Sequence, residues 1–359
     1  MNGSDVLASL RNELASAIQS YIPPRPELLP VSPWLAMSLL QKAIRRGRSD
    51  FALQAAATLL QKYPDHFWRR CIVIAFEDVG IADFETVALV TAAASKTSRA
   101  AIGSEWAIAS FLVSRLCASA KCRAADDLVM VAERHPAYER ERLDLTFRPI
   151  SELISVALSN VAIGERALAL WFAIGTERCR SEHLRSRRGA PTAVFDFLCE
   201  TDLPHTVIEV AREAFYKVGE LHCPLLPLLW SVKPCDLRAP GDDEFPSWTM
   251  CGPLPSWAID MFSREGRTAL RRFLAAEGPA ARWVRTHVPQ SQQVDFLGYI
   301  LFSVDSGLLA KRLRWPLADE LRRLAEIESQ GPYCPDATEI TGMLRDELPL
   351  LNEVRAHVL

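Results

Sequence analysis

QKAIRRGRSDFALQAAATLLQKYPDHFWRRCIVIAFEDVGIAD, residues 41–83, carries the punctuation of successive helices and no signal of a sheet. A helix over 34–46 ends at Gly47, because glycine closes a helix in the left-handed region at little steric cost. Ser49 or Asp50 is the expected cap of a second helix reaching about Lys62, with Pro64 just beyond its end. The spacing predicts a third helix over 65–79, ended by Gly80. Asp83 then caps a fourth, which reaches about Ser95.

The same pattern continues on both sides. Upstream, Val6, Leu10, Leu14, Ile18 and Ile22 recur every four residues, one amphipathic helix over 5–22. PPRPELLPVSP follows, too rich in proline to stay helical, so it reads as an extended connector. The first helix is therefore expected to be an arm, free to pack back or to reach a partner. Downstream, helices are expected over 102–119, over 123–134 with Pro136 as the stop, and over 150–161, 165–174 and 206–218. Residues 233–258 hold Pro, Gly and Asp at loop density, and helical periodicity returns from 257 to the end. Alternating β-branched runs are few, and no Asn-Gly or Asp-Gly turn joins two of them. The helix-pair rhythm shows no fixed repeat period.

Composition narrows the function classes. Half of the 359 residues are apolar and a quarter charged, enough to bury a real core. A net charge of -3 draws the molecule to neither nucleic acid nor acidic lipid as a whole, so any phosphate contact must be local. The nine cysteines are odd in number, scattered and without a CxxC pair, which points to reduced thiols and a cytoplasmic location. No signal-peptide pattern and no run of eighteen apolar residues occurs, so no membrane partner is expected.

Within the opening stretch, QKAIRRGRSDFALQAAATLL (41–60) and FWRRCIVIAFEDVGIAD (67–83) resemble the helical C-terminal region of the replication-associated recombination protein A family. That family includes the bacterial maintenance-of-genome-stability ATPases and the eukaryotic Werner-helicase-interacting protein. Arg69 and Arg70 match its arginine pair, and Glu77, Asp78, Val79, Gly80, Ala82 and Asp83 match its S-E-D-[IV]-G-L-A-D turn. Phe76 replaces the serine there, and Ile81 the leucine. SEWAIASFLVSRLCASAKCRAAD (104–126) is similar, more loosely, to the following helix and its A-P-K-S-N end. The resemblance covers about residues 34–130 and implies a collar that gathers subunits. The family's ATPase module is missing: none of the seven lysines follows a glycine, so no phosphate-cradling loop exists. Neither nucleotide hydrolysis nor any cofactor is expected.

The expected architecture is all-α, a multi-helix array in which a collar-like helical domain is followed by a further helical region. Its divisions are the arm and connector (1–33), the collar-like domain (34–145), a helical middle (146–235), a loop-rich boundary (236–258) and a helical C-terminal region (259–359).

Candidate sites follow from charge and spacing. Arg69, Arg70, Glu77, Asp78, Gly80 and Asp83 form a structural or interaction turn. Arg70 and Glu77 lie seven residues apart on one helix face, so the arginines are expected to ion-pair with the acids. Catalysis by Glu77 and Asp78 is not expected, because adjacent helical residues point about 100° apart. Arg45, Arg46 and Arg48 sit at a helix C-terminus, where the dipole favours cations. ERCRSEHLRSRR brings Arg178, Arg180, Arg185, Arg187 and Arg188 into one stretch, a candidate flexible loop for nucleic-acid contact. His222, Cys223, Cys235 and Cys251 are the nearest approach to a metal set, but lack ligand-pair spacing, so no metal is expected. Trp34, Trp68, Trp106 and Trp171 read as core, and Trp248 and Trp257 as loop clamps or partner anchors.

These signs favour a non-catalytic oligomerisation or interaction protein, an accessory to DNA replication or repair. It would self-associate or dock on a partner ATPase or replication protein through the surface of 34–130. A scaffold or defence-type protein of a mobile element with no direct DNA role is the alternative. An enzyme with a dispersed site is the second alternative.

Overall fold

A computed structural model describes residues 3–233, 238–330 and 338–359, and Cys235 and Cys334 fall outside them. Among the described residues the protein is an all-α array of 20 α-helices. Its few strands are short pairs: Arg238–Gly241 runs antiparallel to Arg312–Arg314, and Met250–Cys251 to Leu254–Pro255.

Helix ends follow local chemistry. Pro33 and Pro64 occupy the first helical positions of Pro33–Arg45 and Pro64–Ile74, where a missing N–H costs nothing. Asp83 caps Phe84–Ala92 by accepting the Thr86 N–H at 3.1 Å. Neither Ser49 nor Asp50 is a cap, contrary to expectation. The helix Ser49–Lys62 begins on Ser49 itself, and Asp50 instead binds Arg48 at 2.6 Å. The helix expected over 65–79 is also not continuous. It is α-helical to Ile74, widens into a π turn over Ala75–Val79, and tightens into the 3-10 turn Gly80–Ala82. Gly80 sits at φ +52°, and a Cβ there would stand 3.1 Å from the Cys122 carbonyl. The Cys122 N–H in turn donates to the Asp78 carbonyl at 2.9 Å, pinning the π turn to residues 121–123.

The N-terminal helix Gly3–Ser20 packs back. Val6, Leu7, Leu14 and Ile18 are buried, against the helices Phe84–Ala92 and His205–Val218. The connector is tied down as well: Trp106 Nε1 donates to the Pro24 carbonyl at 2.7 Å and Thr58 Oγ1 accepts the Leu29 N–H at 2.9 Å.

Two hydrophobic clusters form the interior. The larger runs from Leu14 to Ile259 and takes back Leu313, Trp315, Leu321 and Ala325; the smaller lies within residues 261–351. The segment read as a loop-rich boundary supplies Cys251, Leu254 and Trp257 to the larger one, all fully buried. Buried ion pairs join the two. Lys42 Nζ meets Asp260 at 2.9 Å, while Asp305 takes Arg46 at 2.6 Å and Arg355 at 3.0 Å. Between the clusters, beside these pairs, lies a cleft.

Candidate functional site: a charged cleft between the two clusters

The helix Pro33–Arg45 divides its residues cleanly. Leu35, Ala36, Leu39, Leu40, Ala43 and Ile44 are buried in the core. Trp34, Ser38, Gln41, Lys42 and Arg45 line the cleft instead. Trp34 is therefore not a core residue: it is 72% exposed, one position out of phase with the apolar stripe. The facing wall comes from Arg123, Asp126 and Asp127 at the start of the helix Ala124–Arg134. Tyr299 and Phe302, with Arg322 from the helix Pro316–Gln330, close the far side. The cleft encloses about 520 Å³, ample for a small-molecule ligand.

Its floor is a buried ionic network. Glu77 Oε1 accepts from Arg45 Nη2 and from Arg123 Nη1, each at 2.9 Å. Asp78, wholly buried, accepts from Arg45 Nε at 2.7 Å, Arg123 Nη1 at 2.6 Å and Gln41 Nε2 at 2.9 Å. Adjacent acids thus converge on the same two guanidinium groups, those of Arg45 and Arg123. Both lie in the π turn Ala75–Val79.

The expected pairing of these acids with Arg69 and Arg70 is not the one that forms. Arg69 turns away to the Lys217 and Val218 carbonyls and to Glu220 at 3.3 Å. Arg70 points into the cleft and makes no hydrogen bond or ion pair among the described residues. The partners of the acids are Arg45, one of the arginines at the helix end and only 4% exposed, and Arg123, which sequence spacing did not mark. A buried acid pair demands buried cations, and that demand was the available signal.

Arg123 also binds Asp126, whose second oxygen meets His222 Nε2 at 3.3 Å. Burial works against charge on Asp126, yet Arg123 and His222 hold its carboxyl well below the usual range. Burial likewise opposes charge on Glu77, and Arg123 and Arg45 outweigh it, so that carboxyl is lowered too. The imidazole of His222 is raised: desolvation lowers it, but the hydrogen bond and charge of Asp126 prevail. The rings of the network stack as well, with Arg45 and Arg123 at 5.3 and 5.2 Å from the Phe302 centroid.

Asp127 behaves differently from its neighbour. It lines the cleft, makes no side-chain hydrogen bond or ion pair among the described residues, and burial pushes its carboxyl up to about 7. Arg312 and Arg322, which stand near it, are engaged by Asp243 at 2.7 and 3.4 Å. Exposed aromatic surface completes the cleft, from Trp34 and from Phe262 at 65% exposure. No cysteine among the described residues lines it. Ser303 Oγ donates to the Ile300 carbonyl, whereas Ser38 Oγ donates to the Ala258 carbonyl at 2.7 Å and accepts from Lys42 Nζ at 2.6 Å, the same amine that is ion-paired with Asp260 at 2.9 Å.

The arginine-rich stretch is a clamp rather than a free loop. Arg178 lies over Phe215 at 4.4 Å and Arg185 over Phe147 at 4.8 Å. Arg187 donates to the carbonyls of Thr146 at 2.7 Å and Arg148 at 2.6 Å. Only Arg180 and Arg188 of the five remain exposed without a partner among the described residues. The His222, Cys223 and Cys251 set does not converge: His222 serves Asp126, Cys223 is in the core, and Cys251 Sγ lies 3.7 Å from the Asn352 carbonyl. Trp248, Trp257 and Phe51 pack edge-on as a trio, Phe51 lying 5.9 and 5.7 Å from the two indoles and these 6.4 Å from each other. No family model, curated protein or solved structure matches the chain.

Proposed function

We propose that the chain is a non-catalytic interaction protein, accessory to DNA replication or repair, that holds an aromatic anion such as a nucleotide in this cleft. One observation carries the reading. The network rigidifies the floor by pairing its charges with one another, and leaves Arg70 and Asp127 without a hydrogen bond or ion pair among the described residues, beside exposed aromatic surface. An unengaged guanidinium takes an anionic oxygen, an unengaged carboxyl takes an N–H donor, and Trp34 and Phe262 offer rings for stacking.

The resemblance supports the biological setting. Gln41, Arg45, Arg70, Glu77, Asp78, Arg123 and Asp126 all fall inside its quoted segments and meet at the cleft floor. Binding rather than turnover is favoured because the Ser38 hydroxyl, the one beside an amine among the described cleft residues, has its proton committed to the Ala258 carbonyl, and that amine, Lys42, is engaged by Asp260.

Fluorescence titration with nucleoside monophosphates and short single-stranded oligonucleotides tests the reading, with Trp34→Phe identifying the reporter. Saturable quenching is expected, weakened about tenfold or more in Arg70→Ala. Absence of saturable binding, or binding indifferent to both Arg70→Ala and Asp127→Asn, rules the reading out. Self-association, which the resemblance also implies, is checked by light scattering, and a strict monomer at high concentration removes it.

A further inference from the structure

A second cluster of chemistry-bearing side chains lies outside the cleft and shares no residue with it. The helix Pro191–Cys199 ends on Cys199, and the helix His205–Val218 starts on His205 after a short connection. His205 and Glu209 are four residues apart, so one turn of helix puts them on the same face, directed at the end of the preceding helix. One ligand atom from each of Cys199, His205 and Glu209 lies within 4.8 Å of the others. Cys199 Sγ stands 3.8 Å from Glu209 Oε1, and His205 Nε2 stands 3.6 Å from the same oxygen.

These separations are too long for good hydrogen bonds, and they match another geometry. A tetrahedral zinc ion with bonds of about 2.0–2.3 Å holds its ligand atoms roughly 3.3–3.8 Å apart. The imidazole is not otherwise engaged: Nδ1 is shielded from solvent and has no hydrogen-bond partner, and Nε2 meets only Glu209. The donor set is also selective. Thiolate, imidazole and carboxylate together suit zinc and its neighbours, whereas calcium and magnesium take oxygen ligands.

We infer that Cys199, His205 and Glu209 form a binding site for a zinc-class dication that staples the helix hairpin 191–218. Three protein ligands leave a fourth position for water, and His205, 41% exposed, puts the site at the surface where an ion can enter. Arg212 fits the same picture. Its Nη2 is 3.1 Å from Cys199 Sγ and its Nη1 3.4 Å from Glu209 Oε1, so it places positive charge where the dication would supply it. It is 29% exposed and also approaches Asp196 at 3.6 Å, which gives it a partner when it moves aside.

Cobalt(II) is the probe that reports the ligands. The full chain is stripped with a chelator and titrated with cobalt(II) alone, followed by zinc competition. One equivalent is expected to bind with a near-ultraviolet thiolate-to-cobalt band, lost in Cys199→Ser. His205→Ala and Glu209→Gln are each expected to weaken binding about tenfold or more, with unchanged far-ultraviolet circular dichroism. Failure to bind either metal stoichiometrically overturns the site. So does a thiolate band that survives Cys199→Ser, because the metal then sits on another cysteine. Should Cys199→Ser not fold, Glu209→Gln decides: it keeps the size and helix preference of the side chain, and unchanged cobalt affinity overturns the assignment.

Discussion

Replacing Asp78 by asparagine or alanine probes the network on which the cleft rests. The carboxylate is fully buried and accepts from Arg45 at 2.7 Å, Arg123 at 2.6 Å and Gln41 at 2.9 Å. Removing one partner of a buried pair leaves the other charge uncompensated, at a cost of about 3–5 kcal/mol. Glu77 moderates the loss, since it contacts both guanidinium groups from a position 14% exposed. Asp78→Asn keeps one acceptor and belongs at the lower end of that range; Asp78→Ala belongs at the upper end. Urea unfolding, followed by circular dichroism and by fluorescence to test coincidence of the transitions, measures both. The surface pair Arg48–Asp50, with side chains 36% and 58% exposed, is the internal control, and Asp50→Ala is expected to cost less than about 1 kcal/mol. A double-mutant cycle of Asp78→Ala with Arg45→Ala should be strongly non-additive, because the second change removes the charge the first left stranded. If Asp78→Asn costs no more than the surface control, the network does not hold the floor, and the pre-organisation argued for the cleft fails with it.

Three further outcomes follow from the same geometry. Gly80→Ala should destabilise by about 1–3 kcal/mol in the same unfolding assay, because it forces a side chain to φ +52° against the Cys122 carbonyl; a neutral result contradicts the tight turn. Asp127, an acid raised in the folded state to about 7, stays protonated there while the unfolded chain releases its proton near the ordinary value of 3.8. Its effect is therefore a loss of stability as pH rises from about 4 to 7, level above that, and Asp127→Asn should flatten this decline; an unchanged pH profile refutes it. His222, a base raised above 6.5, adds stability fully present below that pH and lost as pH rises through its folded value. A histidine proton titration by NMR that places it below 6.5 would sever the link to Asp126.

Helix boundaries were legible where a single residue sets them. Asp83 caps by its own carboxylate, and Gly80 closes a turn by its own backbone freedom, so both could be read without neighbours. The helix His222–Trp230 escaped the reading, since Pro224 and Pro227 look like breakers. Pro224 sits in the first turn, where no N–H is needed, and burial of Leu225, Leu226, Leu228 and Leu229 holds the rest. Trp34 shows where the phase of a pattern outweighs residue type. The stripe Leu35, Ala36, Leu39, Leu40, Ala43 and Ile44 defines the inner face, and Trp34 belongs with Ser38, Gln41 and Arg45 on the other. Read that way, the helix already announces an aromatic and two long polar side chains facing something other than core. What faces them could not be read, because Tyr299, Phe302 and Arg322 lie more than two hundred residues further along, brought there by buried pairs such as Arg46–Asp305. The arginines of residues 44–48 could be placed at a helix end but not assigned to surface or core, since a cation there satisfies the dipole wherever it points. Only the acids that bury it decide between surface and core. A chain that buries Asp78, Asp260 and Asp305 must bury cations to match, so the acids, rather than the arginines, are the residues from which such a cleft can be traced.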